Sequence, residues 1–97
     1  MDVVVAYDIA NTDTSAGAAR LRRVADVCSS YGERAQQSVF ECRLTLESHA
    51  RMIGELCDVI DLKLDSVIIY RVNGNLHDSR TVLGIDRPHR LGDTWIV

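Results

Sequence analysis

The strongest constraint on the fold is the apolar run Val3-Val4-Val5-Ala6-Tyr7, which is rich in β-branched residues and is followed directly by Asp8. A run of this length without alternation is typical of a strand that is buried on both faces of a sheet. An acid at the end of such a strand is costly to bury unless it is paired or holds a metal. The run therefore predicts a central first strand, with Asp8 as either a metal ligand or the partner of an arginine.

Two later segments carry apolar residues at helical spacing. The first stripe is Ala18, Leu21, Val24, Ala25, Cys28 and Tyr31. The second stripe is Met52, Ile53, Leu56, Cys57 and Ile60. We predict two amphipathic helices, the first ended by Gly32 and the second capped by Ser48.

The other strands are predicted from alternation and from turn residues. Residues 34–46 alternate with a period of two, residues 67–72 form a second apolar run, and residues 81–83 form a short strand. If 34–46 is one strand, the order is β-α-β-α-β-β. If it folds back as two strands, the order is the β-α-β-β-α-β of ferredoxin-like folds. The pattern predicts an α+β sandwich and leaves both orders open.

The chain of 97 residues is long enough for one core. We predict a single domain over 1–97, with a core at 1–85 and a tail at 86–97 whose last four residues form a C-terminal strand. That strand pairs either with the same sheet or with the sheet of a partner copy. No apolar run approaches the roughly 20 residues needed to cross a bilayer and the amino terminus is unlike a secretory signal, so we expect a cytoplasmic protein with no membrane partner.

The charge of the chain bears on whether it binds nucleic acid. The net charge of -3 opposes tight binding to nucleic acid, yet ten of the eleven basic residues are arginines, which grip phosphate with paired donors. Arginines 20, 22 and 23 open the first helix, and Arg87 and Arg90 flank His89; each group is either a phosphate-binding surface or a solvated one.

The motifs of most enzyme classes are missing from the sequence. Its three cysteines (Cys28, Cys42 and Cys57) lie at apolar positions and are predicted to be core residues. No zinc-like histidine spacing, P-loop or serine nucleophile motif is present. Metal-assisted phosphodiester cleavage remains as the enzymatic option, because Mg2+ needs only one or two carboxylates and two copies of Asp8 could share one ion.

Four segments in order make a more specific pattern: Val4-Val5-Ala6-Tyr7-Asp8-Ile9, Tyr31-Gly32-Glu33-Arg34, Gln37-Ser38-Val39-Phe40-Glu41-Cys42 and Asp65-Ser66-Val67-Ile68-Ile69-Tyr70-Arg71. Together they resemble the CRISPR-associated Cas-two family over nearly the whole chain. The resemblance implies a ferredoxin-like βαββαβ fold, with an antiparallel sheet and two helices on one face. It also implies a homodimer that bridges two dimers of the CRISPR integrase, Cas-one, and binds DNA during spacer acquisition.

Some members of that family are Mg2+-dependent nucleases acting on RNA or on duplex DNA. The resemblance implies that Asp8 is the metal ligand and a catalytic residue, that Tyr7 beside the metal is a second catalytic residue, and that Arg20 and Arg22, grouped with Arg23, lie near phosphate. Arg34 is a further nucleic-acid-binding candidate, and Phe40 matches another family position near the site. Three alternatives stay open: an architectural protein without cleavage, a toxin-type ribonuclease similar to the virulence-associated D group, and a regulatory domain for a small molecule.

Overall fold

The computed structural model describes residues 1–72 and 80–87. The predicted C-terminal strand, His77, His89 and Arg90 lie outside the described residues. Within the described ranges, seven elements follow one another: β1 (Asp2–Asp8), α1 (Ser15–Tyr31), β2 (Gly32–Gln36), β3 (Val39–Arg43), α2 (Leu46–Val59), β4 (Ser66–Arg71) and β5 (Arg80–Gly84). The order is that of the ferredoxin-like fold with one added strand, so the predicted fold class is confirmed.

The five strands form one antiparallel sheet in the order β2-β3-β1-β4-β5. β1 lies in the middle, as its apolar run predicts, and Val5 pairs with Phe40 on one side and Ile69 on the other. Residues 34–46 fold back as β2 and β3, so the alternative of one long strand is wrong. Only Gln37 and Ser38 separate the two strands, and the β2–β3 register shifts between Arg34 and Gln36.

The two faces of the sheet differ in what they pack against. Val3, Val5, Tyr7 and Ile9 alternate onto one face, where they join the main core with Val24 and Cys28 of α1 and Met52 and Leu56 of α2. The opposite face carries a smaller cluster: Ala6, Val39, Ile68 and Tyr70. No helical residue of the described ranges belongs to that second cluster, so both helices cover one face, as predicted.

The helix ends follow from local hydrogen bonds. The Thr14 hydroxyl accepts from the Gly17 N–H at 3.1 Å and caps α1, whose last turn ends at Gly32 as predicted. The predicted cap of α2 at Ser48 is wrong, because Thr45 is the cap and Ser48 is its reciprocal partner in a capping box. Leu46 is consequently the first helical residue, with 77% of its surface exposed.

The three cysteines have free thiols; Cys28 and Cys42 are buried, and Cys57 is partly buried against the main core. No helix in the part of the chain that the structure describes is long and apolar enough to span a bilayer.

Candidate metal site and nucleic-acid interface

Asp8 is the last residue of β1, and about half of its side chain is exposed. Alternation along the strand places it on the face opposite the helices, together with Ala6. It pairs in register with Ser66 of β4, and Ser66 pairs in turn with Gly84 of β5. The carboxylate therefore stands at one end of the helix-free face.

Arg87 is the cation beside this carboxylate. Its Nη1 lies 3.5 Å from Oδ2 of Asp8, and its backbone N–H donates to the Ser66 hydroxyl at 3.3 Å. An exposed pair at this distance contributes little free energy, so a metal ion or a phosphate can replace either partner at small cost. Sequence reasoning allowed Asp8 an arginine partner but did not identify Arg87, because 79 residues separate the two.

Tyr7, Phe40 and Arg34 form a stack on the helix side of the sheet. The rings of Tyr7 and Phe40 are 6.2 Å apart at an interplanar angle of 23°, and Arg34 Cζ lies 5.1 Å from the centre of the Phe40 ring. The Tyr7 hydroxyl donates to the Gln37 carbonyl oxygen at 3.2 Å. The structure thus brings these three predicted residues together, but Tyr7 projects to the opposite face from Asp8.

The environment of Tyr7 keeps its phenol neutral. Burial raises the pKa of Tyr7, the nearby Cys28 thiol raises it further, and Arg34 offsets part of that rise. At neutral pH the hydroxyl is therefore a hydrogen-bond donor and not a general base.

The three arginines of α1 occupy different environments. Arg20 is largely buried: its Nε donates to Asp65 Oδ2 at 2.9 Å, and its Nη2 donates to the Ala10 carbonyl oxygen at 2.9 Å. Arg22 and Arg23 are exposed and form no salt bridge within residues 1–72 and 80–87. Only the latter two present open guanidinium groups to solvent.

Asp65 is the acid that sequence reasoning missed. Its side chain is fully buried and accepts hydrogen bonds from the backbone N–H groups of Ala10 and Asp61 and from Arg20. Burial alone would raise the pKa of Asp65, but these donors outweigh it and hold the pKa below its ordinary value. An acid directly before β4, with only Ser66 between it and the apolar run, is the signal that could have identified it.

The donor set of one chain is small. Within the described ranges, no three His, Cys, Asp or Glu side chains lie close enough together to hold a metal ion. Asp8 offers one carboxylate, which suits Mg2+ only if water, phosphate or a second carboxylate completes the octahedron. The chemistry of Asp8 therefore suits Mg2+, and one chain supplies only this part of a site.

Comparison with known proteins gives a consistent result. The family model described as CRISPR associated protein Cas2 matches residues 1–79. A "CRISPR-associated endoribonuclease Cas2" of Chlorobaculum tepidum is 39% identical over 97 residues, covering 100% of both chains. A "CRISPR-associated endonuclease Cas2" of Halalkalibacterium halodurans is 41% identical over 75 residues, covering 77% of each chain.

Solved structures agree with these relatives. The crystal structure of Streptococcus pyogenes Cas2 at pH 6.5 has a TM-score of 0.70 and 44% identity, covering 80% of this chain and 93% of that one. A hypothetical protein from Thermus thermophilus has a TM-score of 0.65 and 36% identity, covering 75% of this chain and 82% of that one. The chain therefore belongs to the Cas2 family of CRISPR-associated proteins, the Cas-two family that its motifs resemble.

Proposed function

We propose that two copies of this chain form a homodimer that binds nucleic acid during CRISPR spacer acquisition and bridges two dimers of the integrase, Cas-one. We further propose that the two Asp8 carboxylates hold one Mg2+ for endonuclease cleavage of RNA or duplex DNA. The observation that carries the proposal is the half-exposed Asp8 at the end of the helix-free face.

The position of Asp8 supports the dimer. Asp8 stands at one end of the helix-free face and is about half exposed, whereas the apolar cluster of that face is already buried within one chain, with Ile68 1% and Tyr70 9% exposed. A two-fold axis near the end of β1 would bring two Asp8 side chains toward each other. The single carboxylate per chain makes this second copy necessary for a metal site.

Each residue at the site has a defined task in cleavage. When bound, Mg2+ would lower the pKa of a water molecule and neutralise charge on the phosphodiester. Asp8 binds and orients the ion. Arg87, 3.5 Å from Asp8, is free to turn its guanidinium to a phosphate oxygen once the carboxylate is engaged, and Arg22 and Arg23 bind the backbone further away.

A purely architectural role is the second candidate. The contact between Arg87 and Asp8 favours it, because this ion pair anchors the segment that follows β5 and needs no metal to do so. The names of the relatives, which specify endoribonuclease or endonuclease, favour cleavage. The toxin-type alternative loses support because these relatives are named as CRISPR-associated proteins.

The deciding experiment compares purified wild type, Asp8→Asn and Asp26→Asn on labelled RNA and duplex DNA, with Mg2+ or with chelator, across a range of pH. Asp26 is an exposed aspartate of α1 and serves as the matched control. We expect Mg2+-dependent cleavage by wild type and Asp26→Asn and none by Asp8→Asn. Equal cleavage by all three proteins would contradict the metal site.

Light scattering tests the assembly independently. We expect all three proteins to have twice the mass of one chain, and a larger complex to form when integrase dimers are added. A monomer at near-physiological salt would contradict both the bridge and the shared metal site. A dimer without cleavage would support the architectural role.

A further inference from the structure

We propose that Arg20 and Asp65 are positioning residues for Asp8, and that Arg20 does not bind phosphate. The inference rests on the proposed metal site and explains what holds Asp8 in place. It differs from the role that the family resemblance implies for Arg20, because the guanidinium is turned into the protein.

The pair holds both backbone polar groups of Ala10, two residues after Asp8. Asp65 Oδ1 accepts from the Ala10 N–H at 2.9 Å, and Arg20 Nη2 donates to the Ala10 carbonyl oxygen at 2.9 Å. A hydrogen bond of 2.9 Å from Arg20 Nε to Asp65 Oδ2 connects the two side chains to each other. The backbone that leaves β1 is thus held by the planar guanidinium group of Arg20 together with the Asp65 carboxylate.

Asp65 also contacts the loop before β4 and the residue that follows β5. Its Oδ2 accepts from the Asp61 N–H at 2.8 Å, and its carbonyl oxygen accepts from the Ile85 N–H at 2.9 Å. The next residue is Ser66, the register partner of Asp8 and the acceptor for Arg87. Asp65 therefore contacts the residues after β1 through its carboxylate and the residue after β5 through its backbone carbonyl, and it directly precedes β4.

The turn after β1 is attached to the start of α1 by hydrogen bonds and close packing. Asn11 has a φ of 57°, and its carbonyl oxygen accepts from the N–H and hydroxyl of Thr14 at 2.9 and 2.6 Å. Gly17 packs so closely that a Cβ there would lie 2.0 Å from the Asn11 oxygen. Because this turn is already attached to α1, the Arg20–Asp65 pair adds a side-chain link from α1 to the start of β4, beside the backbone pairing of Asp8 with Ser66.

The accessibility of Arg20 agrees with this role. Only 15% of its side chain is exposed, and Nε and Nη2 are both engaged with protein acceptors. Arg22 and Arg23, on the same helix, are exposed and have no salt bridge among the described residues. A phosphate approaching α1 would therefore meet Arg22 and Arg23 before it met Arg20.

The test uses Arg20→Gln, Asp65→Asn and the double variant, measured in the dimer for Mn2+ affinity by electron paramagnetic resonance. Mn2+ accepts the same oxygen ligands as Mg2+. We expect each single variant to lose about 10-fold or more in affinity, the loss typical of residues that orient a metal ligand. The double variant should lose no more than either single variant, because the pair acts as a unit.

Two controls separate positioning from general destabilisation and from phosphate binding. Val24→Ala removes buried volume from the same helix and should lower thermal stability while keeping wild-type Mn2+ affinity. The dependence of duplex DNA affinity on salt should be unchanged in Arg20→Gln. In Arg22→Gln its slope should fall by about 0.9, the value for one phosphate contact.

The outcomes are distinguishable. A reduced salt slope with unchanged Mn2+ affinity in Arg20→Gln would overturn the inference and make Arg20 a phosphate ligand. If Asp8→Asn abolishes Mn2+ binding and the pair variants do not affect it, only the positioning inference fails. If Asp8→Asn keeps wild-type affinity, the proposed metal site fails as well. Should Asp65→Asn not fold, the double variant, which leaves no unpaired charge, decides the question in the same way.

Discussion

Tyr7 and Asp8 are neighbours in sequence but project to opposite faces of β1. Tyr7 belongs to the core under the helices, where its ring stacks on Phe40 and its hydroxyl binds the Gln37 carbonyl oxygen. Asp8 stands at the end of the other face, beside Ser66 and Arg87. The geometry makes Tyr7 a core residue and leaves Asp8 as the accessible group of the pair.

We expect Tyr7→Phe to lower the free energy of unfolding by about 0.5–1.5 kcal/mol, the usual worth of one hydrogen bond. The ring and its stacking on Phe40 are kept, so cleavage should continue at the wild-type rate. Chemical denaturation and the cleavage assay measure the two effects separately. A loss of cleavage as complete as in Asp8→Asn, with stability unchanged, would show that the hydroxyl itself takes part in the reaction.

Pattern and resemblance predicted Asp8 as a site residue but did not identify the partners of the charged residues around it. Arg20 meets Asp65 across 45 residues, and Arg87 meets Asp8 across 79. Local periodicity carries no information about contacts over such separations, which depend on the final packing of the loops. The argument that selected Asp8, an acid bordering an apolar run, applies equally to Asp65 and would have selected it too.

At the scale of elements, the end of β5 depends on one glycine. Gly84 has a φ of 81°, and a Cβ there would lie 2.2 Å from the Asp65 carbonyl oxygen. Both the left-handed backbone and the close approach to Asp65 exclude a side chain. Gly54 offers the contrast, because it is exposed within α2 and a Cβ there would meet nothing within 4 Å.

Alanine at these two positions should therefore change stability in opposite directions. Gly84→Ala should destabilise the fold by more than about 1 kcal/mol, because it adds backbone strain to a clash. Gly54→Ala should stabilise it by about 0.5–1 kcal/mol, because glycine is the weaker helix former. Urea denaturation of both variants measures the difference, and a neutral Gly84→Ala would contradict the close packing of β5 against Asp65.

Sequence reasoning predicted most elements and failed where local signals were weak. The central strand, both helices and strands β4 and β5 follow from apolar periodicity and agree with the structure. The fold-back between β2 and β3 was left open because Gln37 and Ser38 lack the Gly, Asn or Pro chemistry that marks a turn. Thr45 was missed as the cap of α2 because alternation was extended through it as part of a strand.

For the whole molecule, the net charge is a poor guide to whether nucleic acid can bind. The net charge is -3, yet several acids form local salt bridges: Asp2 with Arg43, Glu47 with Arg51 and Asp86 with Arg80. Arg22 and Arg23 have no such partner within the described ranges. A basic surface on α1 can thus exist on an acidic protein, and its contact with phosphate should be local and salt-sensitive.

The end of the molecule opposite Asp8 carries a histidine whose protonation the fold opposes. His49 of α2 has a buried Nε2 with no hydrogen-bond partner in the described part of the chain. Burial lowers the pKa of His49, and the positive charges of Arg71 and the amino terminus lower it further. The Met1 ammonium in turn donates to the Leu44 carbonyl oxygen, so these charges lie where the start of β1 meets the start of α2.

We expect this histidine to make the fold lose stability as the pH falls through the ordinary value of about 6.5. Below that value His49 is protonated in the unfolded chain but not in the folded chain, so the free energy of unfolding decreases. The decrease continues until the pH reaches the lower pKa of His49 in the folded state. His49→Gln should flatten the unfolding free energy between pH 7 and pH 5. β1 spans about 20 Å from Asp2 to Asp8, and the charges that act on His49 lie at its Asp2 end, so the substitution should leave the pH profile of cleavage unchanged. An unchanged pH dependence of stability in His49→Gln would show that other groups cause the acid sensitivity.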